Sequence, residues 1–222
     1  MGDAVPFLDM TLDELRLALA PLVAANAVFD GWSDKALSDA AVAVGIPADR
    51  ARLAYPGGAI DMIDVWFLAI DRALEQRLKP ETLGAMKIRE RIRTLVLTRL
   101  DIARPQREAV RRALAKLTLP MHLSHAARLG WRGADIMWRM AGDTTTDFNH
   151  YSKRAILATV YAATLLIWLD DESEDSHDTK AFLDKRIDGI MRFEAAKARL
   201  KPDGNRHFSP TRLLGRLRYP DA

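Results

Sequence analysis

Apolar residues along this chain recur at spacings of three and four far more often than at every second position, and that rhythm predicts helices from end to end. Sustained apolar/polar alternation is missing and no Asn-Gly hairpin turn occurs. A first helix is expected from about Leu12 to Asn26, opened by Thr11 with Glu14 three residues on, a reciprocal capping arrangement. Phe29-Asp30-Gly31-Trp32 turns the chain, Ser33 caps a second helix to about Val44, and Gly45-Ile46-Pro47 leads into a short third one that ends before Tyr55-Pro56-Gly57-Gly58. This helix, turn and helix resemble a helix-turn-helix unit. A fourth helix is expected from about Ile60 to Leu78. Pro80 separates it from a long helix whose apolar positions are Ile88, Ile92, Leu95, Val96 and Leu100. Pro105 and Pro120 mark further breaks, with helices expected over about Gln106 to Leu117, Met121 to Leu129, and Gly133 to Met140, the last closed by Gly142. The long apolar element Asp147 to Leu169 follows, then an acidic turn, then an amphipathic helix from about Thr179 to Leu200.

The expected fold is all-α, in one continuous unit. A helix-turn-helix-like part covers 1–79, a helical core 80–172, an amphipathic C-terminal helix 173–200 and a basic tail 201–222. With 222 residues, 49% hydrophobic and 28% charged, the chain can bury a substantial core. It has no cysteine, which removes disulfides, thiol nucleophiles and thiolate metal sites, and fits a reducing compartment. Met1 to Met10 lack the basic flank and apolar stretch of a secretory signal and the Arg/Ser-rich character of a transit peptide, so a cytoplasmic location is expected. The longest uncharged run, Ala155 to Leu169, spans roughly 22 Å as a helix against a ~30 Å bilayer core, and reads as a buried helix.

Charge is segregated rather than large. The net charge is +3, yet Lys87 to Lys116 carries ten Lys or Arg against Glu90, Asp101 and Glu108. A solvated helical face explains this, and attraction to anionic headgroups or an acidic partner is the alternative. Asp170 to Asp178 holds six acids without a Lys or Arg, but lacks the glycine and terminal glutamate of a calcium loop; it reads as a solvated turn favouring the start of the next helix. His122 and His125 share a helix face, with no further ligand nearby to make a metal site. Pro47 to Tyr55, the would-be recognition helix, offers only Arg50 and Arg52 beside Asp49, with no Asn, Gln or Lys for base edges, so nucleic acid is not an expected partner. Ser124 forms no nucleophile elbow, Gly57-Gly58 lacks the phosphate-loop Lys and the dinucleotide spacing, and no catalytic residue is assigned. In the last helix Phe182, Leu183, Ile187, Ile190 and Met191 alternate with Lys180, Lys185, Arg186, Arg192 and Lys197. Packing on the body or across a dimer explains the pattern, and so does an interfacial membrane helix.

The segment Ala141-Gly142-Asp143-Thr144-Thr145-Thr146-Asp147-Phe148-Asn149-His150-Tyr151-Ser152-Lys153-Arg154 resembles the signature of the Coq nine family of coenzyme Q biosynthesis accessory proteins. The resemblance continues through Leu157, Tyr161 and Thr164 to Asp175, Asp178-Thr179, Ala181-Phe182-Leu183 and Arg186. It implies a TetR-like fold without DNA binding, an isoprenoid or quinone lipid held in the helical core in place of any cofactor, and a homodimer. It further implies a non-catalytic role in ubiquinone biosynthesis, in which quinone intermediates are presented to a di-iron demethoxyubiquinone hydroxylase at the phospholipid surface of the inner membrane. The membrane contact would be Phe182, Leu183, Lys185, Arg186, Ile187, Ile190, Met191 and Arg192. A TetR-type transcriptional regulator with a lipid effector is the alternative.

Carried over by the same resemblance, the hydroxylase-binding surface falls on Met137, Asp147, Asn149 and Tyr151 around position 150. The family's better-known members carry Trp there, where this chain has His150, so the contact is expected to be weaker or differently tuned. Helix capping is the other reading of Asp147. Lipid-lining residues are expected at Leu95, Trp138, Leu157, Tyr161 and Leu165, with core packing the alternative for Trp138.

Overall fold

Thr11 opens the first helix as its spacing predicts. The Thr11 amide donates to Glu14 Oε2 at 2.8 Å, and the Glu14 amide donates to Thr11 Oγ1 at 3.3 Å. The computed structural model describes residues 7–144 and 148–200, with the side chains of 148, 149, 191 and 193–200 outside that description; the expected basic tail 201–222 and Asp147 lie outside the described residues. Helix α1 (Leu12–Asp30) runs past Asn26 and stops where Gly31 takes the left-handed φ of 68°. Ser33 caps α2 (Asp34–Ala43) by accepting from the Ala36 amide at 3.2 Å. The order continues with α3 (Ala48–Ala54), α4 (Ala59–Arg77), α5 (Pro80–Gly84), α6 (Ile88–Ala103), α7 (Arg107–Leu117), α8 (Leu123–Met140), α9 (Phe148–Asp170) and α10 (His177–Leu200). No strand occurs among the described residues.

Two expectations about the chain's middle are corrected. Pro80 does not simply end α4: it stands at the first turn of α5, where its missing amide has no helical partner to lose. The helices expected over 121–129 and 133–140 are one, α8. Gly130 and Gly133 are contact points inside it. A Cβ on Gly130 would meet Ala158 of α9 at 3.9 Å, and one on Gly133 would crowd the Arg99 guanidinium at 3.3 Å.

The helices fall into two compact units, Met1–Asp184 and Lys185–Ala222, divided within α10. The boundary expected between 79 and 80 falls between α4 and α5, both in the first unit. There α1 packs on α2, α4 and α7, α4 packs on α6 and α8, and α8 packs on α9. Leu15, Leu19 and Val23, one face of α1, are wholly buried, each contributing about 1.5–3 kcal/mol through apolar area removed from water. Trp32 fixes α1 and α2 onto the later helices: its indole N–H donates to the Ala109 carbonyl at 2.9 Å, and its ring lies 5.3 Å from that of Trp66. Tyr55 ties the end of α3 to α1, its hydroxyl donating to the Arg16 carbonyl at 2.5 Å.

Helix α9 is longer than its uncharged run, and over His150–Asp170 it is long and apolar enough by length and composition to cross a bilayer. Its packing is that of a core helix. Arg154, Leu157, Val160, Tyr161, Thr164, Leu165 and Trp168 are buried along one face against α6, α7 and α8, whereas Ile156, Leu166 and Ile167 stand exposed on the other.

Candidate functional site

The segment that carries the sequence signature forms the junction between α8 and α9. Helix α8 ends in a left-handed glycine cap: Gly142, at φ 88°, donates to Arg139 O at 3.0 Å, and the Asp143 amide donates to Trp138 O at 3.0 Å. Arg91 of α6 holds this end in place, with Nη1 donating to Ala141 O at 2.8 Å while Nε and Nη2 donate to the carbonyls of Met86 and Gly84. From the α9 side Arg154 reaches back, almost wholly buried. Its Nε donates to Asp135 at 2.5 Å, and its Nη1 donates to Asp143 and to the His150 carbonyl, both at 3.1 Å. Lys153 completes the group, its ammonium 2.7 Å from Asp143 and 5.4 Å from the centre of the Trp138 ring, while the Trp138 indole donates to Lys153 O at 2.9 Å.

On this support Tyr151 is 60% exposed, its ring 6.0 Å from Trp131 and 5.2 Å from the half-buried His150. Of the residues expected at a partner surface, Tyr151 and His150 are thus brought together. Met137 is corrected: its side chain is fully buried in α8 and is not presented to a partner. Asp147 and the side chain of Asn149 lie outside the described residues.

The five expected lipid-lining residues occupy the interior of the first unit. Leu95, Leu157, Tyr161 and Leu165 are buried, and Trp138 is half-buried. Among them sits a charged group that periodicity does not reveal. Arg99 of α6 donates to Asp71 of α4 at 2.8 Å and to the Tyr161 hydroxyl, with its guanidinium 4.7 Å from the Tyr161 ring centre and 5.5 Å from that of Phe67. Burial opposes the charge on Arg99, but Asp71 and Tyr161 outweigh it and hold its pKa above the ordinary arginine value. Burial likewise pushes the Tyr161 phenol up, with Arg99 pulling the other way. Arg132 of α8 approaches the second Asp71 oxygen at 3.7 Å. Neither the cleft bounded by Thr98, Arg104 and Trp168 nor the one bounded by Asp61, His122 and Arg132 is lined by any of the five.

At the acidic turn Asp171 is the one carboxylate drawn inward for capping. It accepts from the Ser173 amide at 2.9 Å and hydroxyl at 2.5 Å, and from the Thr179 amide at 2.8 Å and hydroxyl at 2.5 Å. Burial raises its pKa, but these four bonds more than reverse that and hold the carboxyl far below its usual range. Further along α10, Leu183 is buried, Phe182 is half-buried, and Asp184 takes two hydrogen bonds from Arg93, one of 2.6 Å. In the second unit Lys185, Arg186 and Arg192 are exposed, Ile187 is buried and Ile190 half-buried, while the side chain of Met191 lies outside the described residues. No group of three His, Asp or Glu side chains suited to a metal ion occurs among the described residues.

Residues 123–194, from the first residue of α8 to the second half of α10, match the COQ9 family model. Over that stretch the chain is similar to the COQ9 family. It is 32% identical over 180 residues to the rat ubiquinone biosynthesis protein COQ9, mitochondrial, covering 78% of this chain and 58% of that one. The human protein of the same name gives 32% identity over 78% of this chain and 57% of its own, and the Schizosaccharomyces pombe protein gives 27% over 71% and 62%. The chain therefore spans little more than half the length of these relatives. In fold it resembles a TetR transcriptional regulator from Nitrosomonas europaea, with a TM-score of 0.62 at 24% identity over 79% of this chain and 97% of that one.

The all-α, TetR-like architecture expected from the sequence is thus observed. The stretch matched by the COQ9 family model contains the Arg154 group and the exposed Tyr151, and all the expected partner, lipid and membrane residues except Leu95. The charges missed by sequence reasoning divide the same way. Asp143 and Arg154 stand inside the signature, whereas Asp71 and Arg99 lie outside the COQ9 match and betray themselves only as charges at positions where the apolar stripes of α4 and α6 demand hydrophobic residues.

Proposed function

We propose that this protein is a non-catalytic accessory factor of ubiquinone biosynthesis. It holds an isoprenoid or quinone lipid and presents quinone intermediates to a membrane-associated di-iron hydroxylase. The observation that carries the reading is the junction of α8 and α9, where the signature segment is spent on positioning: Arg154, Asp143 and Lys153 fix the start of α9, and Tyr151 is left 60% exposed beside Trp131. Exposed aromatic residues on a rigid support are what a docking anchor requires. The relatives' names as ubiquinone biosynthesis proteins supply the pathway. Two further features fit. The exposed Ile156, Leu166 and Ile167 of α9 suit a homodimer, and the exposed Lys185, Arg186 and Arg192 of α10 suit an anionic bilayer, at the cytoplasmic face of an inner membrane.

The rival, a transcriptional regulator with a lipid effector, draws on the fold alone. It is disfavoured by the use of the α3 arginines within the chain. Arg50 donates to the carbonyls of Leu8 and Met10 at 2.5 Å, and Arg52 pairs with Asp34 at 2.8 Å and Asp49 at 2.7 Å. A deletion strain tests the leading reading: it should accumulate the demethoxy intermediate, and complementation with Tyr151→Ala should restore less of the final quinone than the parent chain does. A normal quinone profile in the deletion strain overturns it.

A further inference from the structure

The start of α8 carries a feature that none of the preceding roles uses. The chain reaches α8 through a 3-10 turn, Pro120–His122, and three large apolar side chains flank it: Leu119 at 46% exposure, Met121 at 73% and Leu123 at 55%. Single apolar residues scattered over a surface need no explanation, but three large ones exposed within five consecutive residues concentrate apolar area at one turn. Beside it, between the starts of α4 and α8, opens a cleft of about 680 Å³ lined by Asp61, Asp64, His122, His125, Arg128 and Arg132.

The acids of the cleft are already matched. Asp61 accepts from the Gly57 amide at 2.9 Å and pairs with Arg16 at 3.5 Å, while Asp64 takes the Arg132 guanidinium at 3.0 Å. Arg128, exposed, forms no ion pair among the described residues, and the imidazoles of His122 and His125 stand edge to face with 6.0 Å between ring centres. One uncompensated guanidinium and two nitrogen rings therefore border the same turn that exposes Leu119, Met121 and Leu123.

We propose that this turn is a membrane-insertion tip and that the adjoining cleft receives the phosphate of an anionic phospholipid headgroup. The pairing is complementary in chemistry: apolar side chains enter the boundary between headgroups and acyl chains, and the Arg128 guanidinium beside them meets the phosphate layer. A free phosphate would satisfy Arg128 but leave these apolar side chains in water. This contact is separate from the one proposed for α10.

The chain has no cysteine, so one probe can be placed at will. Met121→Cys carrying an environment-sensitive fluorophore is mixed with vesicles of phosphatidylcholine alone or with phosphatidylglycerol added, and the same label at Val42→Cys, a site 70% exposed in α2, serves as control. Anionic vesicles should shift the label at position 121 to the blue and expose it to lipid-borne nitroxide quenchers, while the label at position 42 keeps its aqueous emission. Arg128→Ala should weaken the response about five-fold, the effect of one basic residue at an anionic surface. If the protein co-sediments with the vesicles while the label at 121 stays aqueous, binding runs through another surface and the proposal is wrong. Saturation of the cleft by glycerol 3-phosphate without any blue shift on vesicles also overturns it, in favour of a soluble phosphate ligand.

Discussion

Asp143 and Arg154 meet at 3.1 Å across the junction of α8 and α9, with only 4% and 2% of their side chains exposed. So enclosed a pair is held for geometry more than for strength, because desolvation offsets most of its Coulomb energy. Removing Arg154 leaves Asp143 to Lys153 at 2.7 Å and Asp135 to Arg139 at 3.1 Å, so both acids keep one cation. Arg154→Met is therefore expected to destabilise by about 2–3 kcal/mol, short of the ~3–5 kcal/mol typical of an orphaned buried charge. Chemical denaturation measures the loss. On the proposed docking role of Tyr151, hydroxylase binding should fall as Tyr151 becomes more mobile, and Arg154→Lys, which keeps the charge but loses the planar fork, should restore little of it.

The interior group orders a second set of variants. Tyr161→Phe removes one acceptor from Arg99 but leaves its 2.8 Å bond to Asp71, and should destabilise by about 1–2 kcal/mol. Arg99→Leu strands the Asp71 carboxylate, 2% exposed, with only Arg132 at 3.7 Å, and should lose about 3–5 kcal/mol. Urea midpoints read the ranking. Because the Tyr161 hydroxyl already serves Arg99, Tyr161→Phe should leave any co-purified lipid unchanged in mass-spectrometric extracts.

Gly130 and Gly133 make a matched pair on one helix. Alanine gains helix propensity of roughly 0.5–1 kcal/mol over glycine at either position. At 130 the new Cβ meets Ala158 at an ordinary 3.9 Å, and Gly130→Ala should raise the melting temperature by a few degrees. At 133 it would press on the Arg99 guanidinium at 3.3 Å, which cannot retreat because Asp71 and Tyr161 hold it. Gly133→Ala should lower the melting temperature.

These glycines also show where sequence reasoning stops. The capping box at Thr11 and the cap at Ser33 are local, each decided within four residues, and both are legible as letters. What Gly130 and Gly133 touch is decided by side chains on α9 and α6, distant in sequence, so the joining of the two expected helices into one is not legible locally. For the candidate site the order reverses: the signature segment is legible from 141 to 154, yet that Asp143 and Arg154 close on each other, and that Met137 is buried, depends on how α8 lies against α9.

Asp171 makes the start of α10 sensitive to acid. Its folded pKa is depressed, so the stability it contributes is complete above the unfolded value near 3.8 and is lost as pH falls through the lower folded value. Amide exchange at Thr179 and Ser173, whose N–H groups donate to this carboxylate, should accelerate relative to the rest of the first unit on acidification below about pH 4. Asp171→Asn, which has one acceptor oxygen in place of two and no charge, should show the faster exchange already at neutral pH and flatten the acid response.

The hydrogen bond from Trp32 to the Ala109 carbonyl joins residues 77 apart in the chain. During synthesis the amino-terminal helices emerge first, yet the acceptor that closes over this indole is not made until α7 has been translated. The contact that fixes α1 and α2 onto the later helices can therefore close only after α7 has been made, whatever α1, α2 and α4 have already formed among themselves.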